Sequence, residues 1–391
     1  MSPRLRSVAL VMVLGIWFSA LTGMRCRLLR HEPPRVELVR TPDGIHPQTA
    51  VDGDGVVHLV YFKGDPAAGD IYYTHTAAST PGFSRSLRVN TQASNVLVKG
   101  NVRGPQIAVG ARGRVHVVWF GAGQTPKHPG AALYYARLND AGTAFERERD
   151  MVDYDAGLDG GLSVAADDQR NVYVTWHGQG RDGPKGETER AVFFRRSTDA
   201  GQSFSAERRA NPTRTGACGC CGMRAFVDRA GALYLLYRAA FETGRRDEVL
   251  LASRDHGATF RIVQRDAWDI DACPMSMASL SQGPTTVIAA WETADRALFA
   301  RVDPQTLSVS KKFAAPSRDN AKHPVIVANP RGDMLLAWTE GTGWEKGGAL
   351  AWQLYDRNDA PVGAAHRVDG VPPWSLPSAY VQPDGNFTIV F

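Results

Sequence analysis

The residues able to do chemistry are unevenly spread along this chain. Four of its five cysteines lie in two short runs, Cys218-Gly219-Cys220-Cys221 and Cys273-Pro274-Met275-Ser276-Met277. Closely spaced thiols in an exported protein pair as two disulfides, or as one disulfide with two thiols left over. A vicinal Cys220–Cys221 bond is a further, strained option. The same sulfurs are also soft ligands. With His46 or His323 they would suit copper, or zinc with fewer thioethers. C-x-C-C is no standard zinc-finger spacing, so the metal stands as an alternative to the disulfides and no cofactor is required. A second set is charged or aromatic: Lys63, Arg103, Asp159, His177, Arg224, Arg238, Glu292, Glu340, Trp344 and Trp374. These are far apart in sequence and can act together only if the fold gathers them.

A repeat supplies the gathering. Segments of the form G-x-V-x-L-V-x-aromatic recur, as in Gly55-Val56-Val57-His58-Leu59-Val60-Tyr61 and Gly113-Arg114-Val115-His116-Val117-Val118-Trp119. Their closing aromatics are Tyr61, Trp119, Trp176, Tyr237, Trp291, Trp338 and Phe391, spaced 58, 57, 61, 54, 47 and 53 residues apart. Each segment is short, β-branched or aromatic, and preceded by a turn, as a strand should be. A strand lies before it in each period and two follow it, and no long helical pattern competes. Four antiparallel strands at this period describe one blade of a β-propeller. The chain is therefore read as all-β, with seven blades preferred over six. The seventh rung ends on the last residue, so a blade begun by 379–391 is expected to be completed by 35–40.

Successive repeats carry the same turn after the third strand. Ser197-Thr198-Asp199-Ala200-Gly201-Gln202-Ser203-Phe204 and Ser253-Arg254-Asp255-His256-Gly257-Ala258-Thr259-Phe260 both read S-x-D-x-G-x-[ST]-F, and Leu138 to Phe145 is a weaker copy. Asp bonds nearby backbone, Gly takes positive φ and the aromatic packs inward. These turns resemble the Asp-box (BNR) repeats of the sialidase superfamily. The resemblance implies that Asp199 and Asp255 are structural and lie on the face away from the site. It places functional residues on the opposite rim, before first strands and after second strands, where the charged set above falls.

The resemblance also implies roles. Sialidases hold a carboxylate with three arginines and use an Asp as acid/base, which would make Arg103, Arg224 and Arg238 the clamp. Asp159 would be the acid with Glu292 or Glu340 as partner, and His177 and Trp344 would touch the substrate. The nearest approach to the family's first-arginine motif is Val102-Arg103-Gly104-Pro105, and no tyrosine matches the nucleophile. Three functions therefore stand together: a glycosidase acting on an acidic sugar, a non-catalytic binder of a glycan or protein, and a copper or zinc propeller centred on the cysteines.

The N-terminus reads as a separate piece. Arg4 and Arg6 precede an apolar run from Val8 to Met24, the order of a secretory signal and slightly short for a membrane span. Residues 1–25 are expected to be a signal peptide or an N-terminal anchor, and 35–391 a single exported, monomeric propeller. The chain has 45 Lys and Arg against 40 Asp and Glu, and five of those arginines lie in 1–30, where there is no acid. Without that segment 40 bases face 40 acids, so the basic balance is no sign of a nucleic-acid partner.

Overall fold

The computed structural model describes residues 32–391, apart from 42, 77–81, 101, 123–129, 183, 213–214 and 243. The apolar N-terminal run lies outside the described residues. Among the described residues no helix is long and apolar enough to cross a membrane.

Seven sheets form seven blades. Blades 1 to 6 span 45–88, 106–150, 162–209, 223–266, 279–314 and 321–371, each a four-stranded antiparallel meander. Blade 7 is built differently. Ser378–Val381 and Phe387–Val390 form an antiparallel pair, and Val36–Val39 joins as a third strand parallel to the second. The closing register runs from Val36 opposite Phe387 to Val39 opposite Val390. Thr41 N–H donates to the Phe391 carbonyl at 3.0 Å, so the two ends of the described chain finish on one edge. The inner strand of every blade contacts that of the next, and blade 7 contacts blade 1, which closes the ring.

The repeat's closing aromatics are the mortar between blades. Trp119 of blade 2 packs into a cluster with Val60, Phe62 and Ile71 of blade 1. Trp176 does the same against Val118 and Phe120, Trp291 against Leu236 and Leu250, and Trp338 against Ile288 and Phe299. Tyr237, Phe391 and Tyr61 repeat the relation for blades 4, 7 and 1. Both faces of a second strand are thus covered by neighbouring blades. This is why these strands read as continuous apolar runs rather than alternating ones. Each such ring leaves water at a gain of about 1.5–3 kcal/mol.

The two full turns have the expected geometry. The Asp255 carboxylate accepts from Thr259 N–H at 2.9 Å, from Thr259 Oγ1 at 2.6 Å and from Ser253 Oγ at 2.7 Å. Asp199 accepts the equivalent three from Ser203 and Ser197. Gly257 and Gly201 sit at φ 86° and 79°, where a side chain would be strained. Neither aspartate approaches the charged rim residues, so both are structural.

Candidate functional site

The inner strands of all seven blades line a central channel of about 380 Å³. Its mouth on the rim opposite the turns has an unusual backbone. His46, Gly161, Met275, His323 and Trp374 stand at or just before the starts of five inner strands, and all five have positive φ, between 46° and 69°. Four of these are not glycine, and such conformations cost energy that the surrounding fold must hold. At His46 and His323 the inner strand bulges, with register shifts between Ile45 and Gln48 and between Lys322 and Val325. The sequence carries a sign of this, a His-Pro pair at the same rung in blades 1 and 6.

His46 and His323 are buried. Neither ring nitrogen of His323 has a hydrogen-bond partner, and burial, with Lys322 and His46 nearby, holds it well below the usual histidine range, so it is neutral. The His46 backbone N–H donates to Ser375 Oγ at 3.0 Å, and its ring fills the space beside Gly104 that any side chain there would need. His177 is also buried, with Nε2 donating to the Cys221 carbonyl at 2.8 Å. Burial lowers it to about 4. The bond to Cys221 braces the cysteine loop.

The three arginines expected to share a carboxylate go separate ways. Arg103 is on the rim, paired with Asp159 and donating to the Lys99 carbonyl at 2.7 Å. Arg224 lies in the channel wall, bonded to Gln106 and to Gln48 Oε1, and burial lowers it to about 10. Arg238 is buried against Glu248, with 2.9 Å between Nη2 and Oε2. It also donates to Ser276 Oγ and to the carbonyls of Arg246 and Glu292. Its charge is spent on holding blades 4 and 5 together.

The three carboxylates are likewise matched. Asp159 keeps the most exposure, beside Arg103. Glu292 is fully buried and bonds Lys322 at 2.9 Å; burial raises its carboxyl, against the pull of Lys322 and Arg238. Glu340 accepts from Trp338 Nε1 at 2.9 Å and Arg318 N–H at 3.1 Å and pairs with Arg367 at 3.3 Å. Pairing with cations one blade or two strands away is invisible in sequence, because it depends on which segments the fold brings together.

The rim between blades 6, 7 and 1 does present a free surface. Trp344, in the loop after the second strand of blade 6, is 53% exposed. It stands edge-on to Trp374, ring centroids 4.8 Å apart at 86°. Beside Trp374 a groove runs past Arg40, Ile45, Lys63, Pro66 and Pro373. Lys63 Nζ lies over the Tyr61 and Tyr72 rings and 4.0 Å from the exposed Asp43 carboxylate, and Arg40 lies over Phe391 and donates to the Gly370 carbonyl at 3.1 Å.

The cysteines meet at the junction of blades 4 and 5, as their positions before two adjacent inner strands required. Cys220 and Cys273 form a disulfide, and Cys218 and Cys221 are buried thiols. The outcome is one bond with two thiols, and the vicinal pair is not joined. Cys218 Sγ is 2.8 Å from Cys221 Sγ and 3.4 Å from Cys220 Sγ. His46 and His323, from blades 1 and 6, do not belong to this group of sulfurs.

No family profile and no curated protein sequence matches the chain. Solved structures do. An α-L-arabinanase of Penicillium chrysogenum complexed with arabinobiose matches 82% of this chain and 95% of its own, with a TM-score of 0.53 at 11% identity. An α-L-arabinofuranosidase from Fusarium graminearum, in complex with an iminosugar inhibitor, covers 86% and 97% with a TM-score of 0.53, also at 11% identity. A leech intramolecular trans-sialidase complexed with 2,7-anhydro-Neu5Ac covers 90% of this chain and 86% of its own, with a TM-score of 0.50 at 10% identity. Likeness at such identities establishes the fold alone, a β-propeller, and the seven blades are read from this chain's own sheets.

Proposed function

We propose that this chain is an exported, monomeric propeller that recognises a carbohydrate on the rim between blades 6, 7 and 1 and does not hydrolyse it. The observation that carries this reading is exposed Trp344 set against Trp374 beside the Lys63 and Arg40 groove. An indole face takes the apolar C–H face of a sugar ring, and fixed cations next to it favour an acidic unit. Against hydrolysis stands the state of the carboxylates. Asp159, Glu292 and Glu340 each have their own cation, and two of the three are buried. Glycoside hydrolysis needs one acid free to protonate a leaving group and a partner across the bond.

Calorimetric titration of the purified protein with neutral and acidic oligosaccharides tests this. Saturable binding that Trp344→Ala abolishes without lowering Tm is expected, with no sugar released. Turnover of a sialoside that is lost in Asp159→Asn would overturn the non-hydrolytic reading. Absence of binding across the panel would remove carbohydrate recognition.

A further inference from the structure

We propose that the sulfur cluster between blades 4 and 5 is a binding site for a thiophilic monovalent metal ion, Cu(I), assembled when the Cys220–Cys273 bond is reduced. Ligand atoms of Cys218, Cys220 and Cys273 all lie within 4.8 Å of one another, and Cys221 Sγ is 2.8 Å from that of Cys218. Three sulfurs from two loops thus lie within reach of one ion, with Cys221 beside Cys218 at their edge.

The loops are fastened together independently of the disulfide. Gly222 N–H donates to the Ser276 carbonyl at 2.9 Å, and Arg238 Nε of blade 4 donates to Ser276 Oγ at 2.8 Å. Met277 is buried with its thioether against Gly222, one residue past Cys221; a Cβ on Gly222 would lie 1.9 Å from Sδ. The glycine leaves room for this thioether next to the cysteine loop. The donor chemistry is uniform: no imidazole or carboxylate belongs to the group. Thiolate and thioether donors select soft ions, and adjacent Cys220 and Cys221 suit the low coordination numbers of Cu(I) better than the tetrahedron of a structural zinc. Cys273 is exposed and offers a path inward.

The chemistry balances with one named co-reactant. An external dithiol passes two electrons and two protons to Cys220 and Cys273 and leaves as its own disulfide. Cu(I) then replaces thiol protons, which go to solvent. The site is separate from the rim groove and stands whether or not that groove binds a sugar.

Its test is titration of the full chain, reduced with dithiothreitol and desalted without oxygen, with Cu(I) against a chromophoric Cu(I) chelator. Stoichiometric uptake with sulfur-to-copper charge-transfer absorption is expected, absent from the oxidised protein. Cys218→Ser combined with Cys221→Ser keeps the disulfide, so the fold can be checked by Tm, and should lose the uptake. Met277→Leu should weaken it, and Trp344→Ala should leave it unchanged. Uptake that persists in the double serine variant, that requires His323 instead, or that Zn(II) displaces at equal concentration would overturn the assignment.

Discussion

Phe260, which closes the turn of blade 4, stands edge-on to Phe194 in the third strand of blade 3, with centroids 5.6 Å apart at 74°. The same relation joins Phe204 to Tyr135, at 4.9 Å and 78°, and Phe145 to Tyr73, at 5.5 Å and 77°. The turn motif is therefore an inter-blade contact as well as a local one, and its aromatic is required by the blade before it. A double-mutant cycle of Phe204→Leu and Tyr135→Leu, read by chemical denaturation, should give a coupling of about 1 kcal/mol. Strictly additive losses would mean the two rings do not support each other.

The aspartates of these turns make stability depend on acid. Three hydrogen bonds from Thr259 and Ser253 hold the Asp255 carboxyl well below the usual range. Asp199 is lowered likewise by Ser197 and Ser203, against its own partial burial. A carboxyl lowered in the folded state stabilises above its unfolded value, about 3.9, and that contribution is lost as pH falls through the folded value. Asp199→Asn with Asp255→Asn should lower Tm at pH 7, and the gap from the parent should narrow below about pH 4. A gap constant from pH 7 to pH 2 would count against these bonds.

Arg238 and Glu248 are 1% and 4% exposed, and burial pushes the Glu248 carboxyl up against the pull of Arg238. Glu248→Ala leaves a guanidinium in the core and should cost about 3–5 kcal/mol. Glu248→Gln retains an acceptor and should cost less. Melting both variants decides it, and equal losses would assign the effect to packing alone.

Val36–Val39 is the only strand among the described residues that pairs in parallel, and it covers the edge of Phe387–Val390. Replacing Glu37 and Val39 by proline removes N–H donors from that pairing and opens the edge. A lower Tm with a broader transition is expected, together with self-association in sedimentation. An unchanged melt would show that the ring closes without this strand.

The sequence by itself determined the propeller and the position of its repeated turns, and favoured seven blades over six, which the seven sheets decide. Strand alternation, the spacing of Tyr61 to Phe391 and the two S-x-D-x-G-x-[ST]-F copies are local regularities, and local regularity is what a sequence displays. It also brought the cysteines to neighbouring blades, since Cys218 and Cys273 both precede an inner strand. Tertiary structure decided the rest. Arg103, Arg224 and Arg238 look alike in sequence, yet one pairs with Asp159, one crosses the channel to two glutamines and one is sealed against Glu248. A charged side chain takes whichever partner the next blade offers, and burial removes the water that would otherwise satisfy it. The positive φ of His46, Met275, His323 and Trp374 was legible only in part: the His-Pro pairs mark two of the four positions, and none of these residue types favours that backbone by itself.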